Sequence, residues 1–178
     1  MEASGEAQIE TGGTATVAAA RRNVFGHDAF SGTYRTHLEA SGRLVLPSAL
    51  RGPLVLAGFG HVMPRRTDRL FLFTPQAFEV MVDSVVTEQG GGIVDPEVRQ
   101  RFFKAAPKVS IDKQARFVVP PELRALIGIE GEAEVVLAGA IERVEIWPAQ
   151  RFDDVEAEKM RDLDLLLDGH GGLPLGTA

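Results

Sequence analysis

The chain contains no cysteine. That excludes a disulfide framework and a thiolate metal site. Its four histidines, His27, His37, His61 and His170, fall at no metal-ligand spacing. No apolar run approaches the roughly 20 residues of a membrane-spanning helix. The opening MEASGEAQIETGGTATVAAARRN is acidic, then small and polar. It lacks the basic start and leucine-rich core of a secretory signal. These absences lead us to expect a cytoplasmic protein without membrane contact. No nucleophile–base arrangement and no phosphate-binding glycine loop is present. An enzyme, a cofactor, a metal and a small-molecule substrate are therefore not expected. Large apolar side chains are scarce before residue 30, and such a segment cannot offset the entropy of ordering. Residues 1–29 are expected to form a flexible extension.

What remains is ordinary for a globular protein: 178 residues, 44% hydrophobic and 25% charged, enough for one domain or two small ones. The net charge of −6 argues against a generic nucleic-acid binder. The charge is unevenly placed. Residues 33–125 carry 13 basic and 9 acidic side chains, whereas residues 126–178 carry 4 and 12. A mildly basic middle precedes a strongly acidic C-terminal part. The acidic part reads either as a solvated helix face or as a region that repels phosphate and weakens non-specific DNA binding.

Short strand periods recur along the chain. Tyr34, Thr36 and Leu38 alternate with Arg35 and His37, and Ala40-Ser41-Gly42 marks a turn. Leu44 to Leu46 reads as a strand closed by Pro47, which cannot donate to a ladder. Ser48 to Arg51 fits one helical turn, Leu54 to Ala57 a third strand, and Arg69 to Phe73 a fourth. Gln76 to Thr87 spaces Phe78, Val82, Val85 and Val86 helically, with Gly90 to Gly92 as its stop. Asp95-Pro96 opens a helix to about Ala105. That helix displays Arg99, Arg101 and Lys104, which read as a solvated face. Lys108 to Ile111 and Phe117 to Val119 read as strands around a turn at 112–115. Pro121 to Leu126 is a short helix, and two more strands follow at Val135 to Ala138 and Arg143 to Trp147. Pro148 starts an amphipathic helix with Phe152, Val155, Met160 and Leu163 apolar, before a frayed end. Phe71, Phe73, Phe102, Phe103 and Trp147 read as core rather than as base-stacking platforms.

The chain repeats itself. Residues 35–51 set above 108–124 give five identities in 17 positions: Arg43/Arg116, Val45/Val118, Pro47/Pro120, Leu50/Leu123 and Arg51/Arg124. Arg35/Lys108, Leu38/Ile111, Glu39/Asp112, Leu44/Phe117 and Leu46/Val119 are conservative. Each unit reads strand, acidic-to-Arg turn, strand, Pro, short helix, two strands, helix. The expected organisation is a first unit at 30–90, a linker helix at 91–106, a second unit at 107–152 and an acidic helix and tail at 153–178. Two copies of a β-rich α+β unit suggest a pseudo-twofold small β-barrel with flanking helices.

These residues carry a resemblance. GTYRTHLEASGRLVLPSALR (32–51), LFLFTPQAF (70–78), DPEVRQRFF (95–103), VSIDKQARFVVPPELRALIGI (109–129) and VEIWPAQRF (144–152) resemble the MraZ family of bacterial transcriptional regulators. That family lies within the AbrB/MazE/SpoVT superfamily of swapped-hairpin DNA-binding domains. The resemblance implies two AbrB-type units per chain and a ring-like homo-oligomer. It also implies a nucleoid-associated regulator that binds short G-rich direct repeats in the promoter of the division and cell-wall cluster, including its own gene. Two residues depart from the family pattern: Glu39 stands where Asp is usual, and Ala115 where Gly is usual. Alanine does not accept positive φ at little cost as glycine does, so the second turn is expected to be shaped differently.

Within each turn the carboxylate of Glu39 or Asp112 can accept from backbone N–H groups and orient Arg43 or Arg116. One reading is that these pairs only staple their turns. The other is that Arg43 reaches DNA, where its planar fork binds guanine O6 and N7, worth about 1–3 kcal/mol of discrimination. Arg35, Arg51 and Lys113 are phosphate-contact candidates. Gly42 preserves the usual turn in the first unit, so that unit is the expected reader, with Arg116 as a structural alternative. His37 reads as a strand-surface residue. One such turn binds weakly, but a ring presenting several copies to tandem repeats gains roughly 10² to 10⁴ in affinity. The competing function is an AbrB-fold oligomeric interaction module that has lost specific DNA binding and acts through protein partners. The Glu39 and Ala115 departures motivate it.

Overall fold

The computed structural model describes residues 29–89 and 96–169. The expectations placed on residues 1–28, on Gly90 to Gly92 as a helix stop, on Asp95 as a cap and on the segment from His170 lie outside it.

The chain begins with β1 (Thr33–Leu38) and β2 (Arg43–Val45), followed by α1 (Ser48–Ala57). A hairpin of β3 (Phe59–Arg65) and β4 (Arg69–Phe73) leads into α2 (Pro75–Gln89). After α3 (Pro96–Ala105), the pattern recurs as β5 (Lys108–Ser110), β6 (Arg116–Val118), α4 (Pro121–Leu126), β7 (Ala133–Gly139), β8 (Val144–Pro148) and α5 (Ala149–Gly169). The class is α+β, as expected.

The expected third strand at Leu54 to Ala57 is helix instead. Gly52-Pro53 reads as a break in the sequence, yet α1 runs through Pro53 and buries Leu50 and Leu54, four residues apart on one face. Gly58 ends it in a left-handed conformation, its N–H donating to the carbonyls of Leu54 and Val55. The strand lies just beyond, at β3. There Gly60 is required, because a Cβ would stand 2.7 Å from the Phe73 carbonyl.

The strands form two antiparallel sheets. Among the described residues six run in the order β1-β7-β8-β4-β3-β5, and β2 pairs with β6. The order is a palindrome once each strand is exchanged for the one in the same place in the other half of the chain, β1 for β5, β3 for β7 and β4 for β8. The β2–β6 register is reciprocal in the same way: Arg43 opposes Val118, Leu44 opposes Phe117 and Val45 opposes Arg116. No closed barrel forms among the described residues. The chain leaves the large sheet at each acidic-to-Arg turn, so β1 and β5 remain as edges.

Alternation along the strands divides the core. Leu70, Leu72, Val135, Leu137, Val144 and Ile146 face one side, where the β2–β6 ribbon contributes Leu44 and Phe117 and α1 contributes Leu50 and Leu54. Phe71 and Phe73 face the other side, under Phe78, Val82 and Val86 of α2. Trp147 and Val136 share that side further along, against Phe152 and Val155 of α5. Phe73 and Phe78 are fully buried, and truncating either to alanine costs about 3–5 kcal/mol. From Ala157 to Asp162 every side chain of α5 is exposed, including Met160. Among the described side chains the expected apolar stripe therefore docks by its first turns, and the side chain of Leu163 lies outside the described set.

Candidate nucleic-acid interface

The two acidic-to-Arg turns have the same backbone. In the first, Glu39 N–H donates to the Arg43 carbonyl at 3.0 Å and Gly42 N–H to the Glu39 carbonyl at 2.7 Å. In the second, Asp112 N–H donates to the Arg116 carbonyl at 3.0 Å and Ala115 N–H to the Asp112 carbonyl at 2.9 Å. Gly42 has φ 84 and Ala115 φ 61. The expectation of a differently shaped second turn is therefore wrong. Alanine takes the left-handed conformation because its methyl is buried in the core and its carbonyl accepts from Leu46 N–H across the ribbon at 2.9 Å. Gly42 accepts reciprocally from Val119 N–H at 2.9 Å. Each turn is thus pinned by the other half of the chain.

The side chains of the two turns differ. Asp112 Oδ1 accepts from the backbone N–H groups of Arg116 and Gln114, both at 2.9 Å, while Oδ2 accepts from Arg116 Nε at 2.7 Å. The Arg116 backbone N–H, then its guanidinium, hold the Asp112 carboxyl below the ordinary aspartate range, with the Gln114 N–H adding to them. The longer Glu39 does not grip its own turn this way. It stands 3.8 Å from Arg43 Nη1 and accepts from Ser41 Oγ at 3.4 Å. Ser41 Oγ, not Glu39, accepts from Arg43 N–H. Arg43 is half exposed on a loose ion pair, whereas Arg116 is fastened to its carboxylate.

Of the phosphate-contact candidates, Arg35 is held by its own chain, bonded to Asp153 on α5 and 3.4 Å from Glu134 on β7. Arg51 and Lys113 are exposed and make no hydrogen bond or ion pair among the described residues. The repeat partner of Arg51, Arg124, reaches back to the first turn and donates to the Ala40 carbonyl at 3.2 Å. His37 lies 2.7 Å from Glu132 on the strand surface.

The strand alternation that buries Leu44 and Phe117 points Arg43, Val45, Arg116 and Val118 outward. Beside them opens a groove of about 530 Å³ lined by Arg43, Arg116, Lys108 and Asp112 among others. The structure thus brings Glu39, Gly42 and Arg43 together with Asp112 and Arg116 on one ribbon. It leaves Arg35 outside that groove and puts Lys108 in its place. Lys108 stacks over Phe59, its Nζ 3.7 Å from the ring centroid. Sequence reasoning passed over Lys108, although the repeat pairs it with Arg35. Arg99 is bonded to Asp83 on α2, while Arg101 and Lys104 are exposed, as a solvated face requires. Phe71, Phe73 and Trp147 are core, Phe102 is half-buried and Phe103 partly exposed. No helix is long and apolar enough to cross a membrane among the described residues.

A family model described as "MraZ protein, putative antitoxin-like" matches residues 102–164. Curated relatives carry the name transcriptional regulator MraZ and are not named as enzymes. The one from Clavibacter michiganensis subsp. michiganensis is 34% identical over 126 residues, covering 70% of this chain and 85% of that protein. The one from Alcanivorax borkumensis is 33% identical over 132 residues, covering 71% and 88%. The one from Kineococcus radiotolerans is 34% identical over 128 residues, covering 70% and 84%. A third of the residues are shared over more than four-fifths of each regulator's length, and the chain belongs to the MraZ family.

Proposed function

We propose that this chain is a sequence-specific DNA-binding transcriptional regulator made of two AbrB-type units, at 30–90 and 107–152, related by a pseudo-twofold axis through the β2–β6 ribbon. Its targets are short G-rich direct repeats in a promoter, that of the division and cell-wall cluster with its own gene. It works at the nucleoid as a ring-like homo-oligomer, which lets a weakly charged subunit gain affinity by repetition. The observation that carries this reading is the loose guanidinium of Arg43, half exposed on a ribbon pinned from both halves of the chain. Arg43 reads guanine; Arg116, fastened to Asp112, positions its turn; Lys108, Arg51 and Lys113 meet phosphate.

A mobility-shift titration with the chain's own upstream promoter tests this. A salt-sensitive shift at micromolar protein, lost in Arg43→Ala, supports it. No shift in the wild type favours the interaction module instead. The Ala115 departure no longer motivates that module, because the second turn has the same backbone as the first.

A further inference from the structure

The outward face of the ribbon carries two side chains that charge does not explain. Val45 and Val118 are 44% and 50% exposed. A single exposed valine is ordinary surface. These two occupy equivalent places in the repeat, and each faces an arginine across the ribbon: Val118 opposite Arg43, Val45 opposite Arg116.

The DNA major groove admits a two-stranded ribbon of this kind, and the one apolar group that base edges present there is the thymine C5-methyl. We infer that Val118 and Val45 read thymine methyl groups next to the guanines faced by the arginines. The inference rests on the DNA-binding reading above and adds a second base to it. Facing residues on an antiparallel pair have Cβ atoms about 4.5–5.5 Å apart, and successive bases on a strand rise about 3.4 Å. A valine opposite an arginine therefore falls on a base neighbouring that arginine's guanine. The two couples are not equal. Arg43 is loosely held and Arg116 is fastened to Asp112, so Val118, the partner of Arg43, carries the larger share.

Selection of duplexes from a random-sequence library by the wild-type protein supplies the probe. The enriched duplex is then resynthesised with each thymine in turn replaced by deoxyuridine, which lacks only the methyl. Wild type is expected to lose about fourfold in affinity at a thymine neighbouring an essential guanine, the effect of one methyl-sized group left unburied. Val118→Ala is expected to bind the thymine and deoxyuridine duplexes equally. Val118→Thr, which keeps one methyl in a strand-compatible side chain, is expected to retain the difference. Val45→Ala is expected to narrow the difference at a second thymine by less. Wild type that binds every deoxyuridine duplex as tightly as the parent overturns the inference, as does Val118→Ala with undiminished discrimination. In both cases the enriched duplex leaves the regulator reading standing. A library that yields no enriched duplex removes that reading, and this inference with it.

Discussion

Leu44 lies directly opposite Phe117 in the β2–β6 ribbon, and each holds the other's place in the aligned repeats. The reciprocity fixes where neighbouring residues point. With Leu44 and Phe117 turned into the core, the residues on either side of them face solvent. Arg43 and Arg116 therefore come to one surface from positions 73 residues apart in the chain.

Arg43→Ala should weaken specific DNA binding by about 1–3 kcal/mol, the worth of a bidentate guanine contact. Its ion pair with Glu39 is exposed and 3.8 Å long, a kind that contributes at most about 1 kcal/mol to stability. Thermal melts should thus shift by no more than a few degrees, while the mobility-shift affinity falls at least fivefold. Equal affinity in the mutant removes Arg43 from the reader role.

Gly42→Ala and Ala115→Gly should behave differently although their turns match. A Cβ at residue 42 would stand 2.8 Å from the Val119 carbonyl and 3.0 Å from Arg124 Cζ, at φ 84. That substitution should cost about 1–3 kcal/mol, since the clash adds to left-handed strain. Ala115→Gly relieves the strain but exchanges it for a lost buried methyl and a freer unfolded chain. Denaturant melts should place it within about 1 kcal/mol of wild type.

Asp112→Asn should destabilise the fold in a pH-dependent way. The folded-state carboxyl titrates below the ordinary value of 3.8. Such a group contributes stability that is fully present above the unfolded value and is lost as pH falls through the lower folded one. The melting difference between wild type and Asp112→Asn should be constant at neutral pH and shrink below about pH 4. A difference that grows on acidification contradicts this.

Lys108→Ala and Arg35→Ala should separate in salt titrations. Each phosphate contact adds about 0.9 to the slope of log affinity against log salt. Lys108 lines the groove with both turn arginines, so its loss should lower the slope by about 1 across all sequences. Arg35 is occupied by Asp153 and Glu134 and should leave the slope unchanged.

The repeat, most strands and the turn pair were legible in the sequence because their identities fall at fixed offsets. The stretch from Gly52 to Arg65 was not. Gly52-Pro53 imitates a break, and a short apolar run cannot by itself distinguish strand from helix. The burial of Leu54 four residues after Leu50 settled it. Gly60 and Pro64 interrupt the strand period of β3, so no element was expected there, although Gly60 answers the closeness of Phe73. In the candidate site, the outward place of Arg43 beside its turn was legible, but the capture of Arg35 depends on Asp153, 118 residues away. No local pattern announces such a partner. The left-handed alanine at 115 was equally hidden, since what holds it is supplied by Leu46 across the ribbon.

β1 is completed by β7, β2 by β6 and β3 by β5 as well as by its own hairpin. A ribosome delivers these partners in sequence, so the first half emerges with strands whose neighbours are not yet translated. Contacts this distant along a chain make folding slower, and unpaired edges are open to wrong partners in the meantime. The native pairing can be reached only after β8 has cleared the exit tunnel. The polypeptide is consequently indivisible: no fragment that ends before β7 holds a finished sheet.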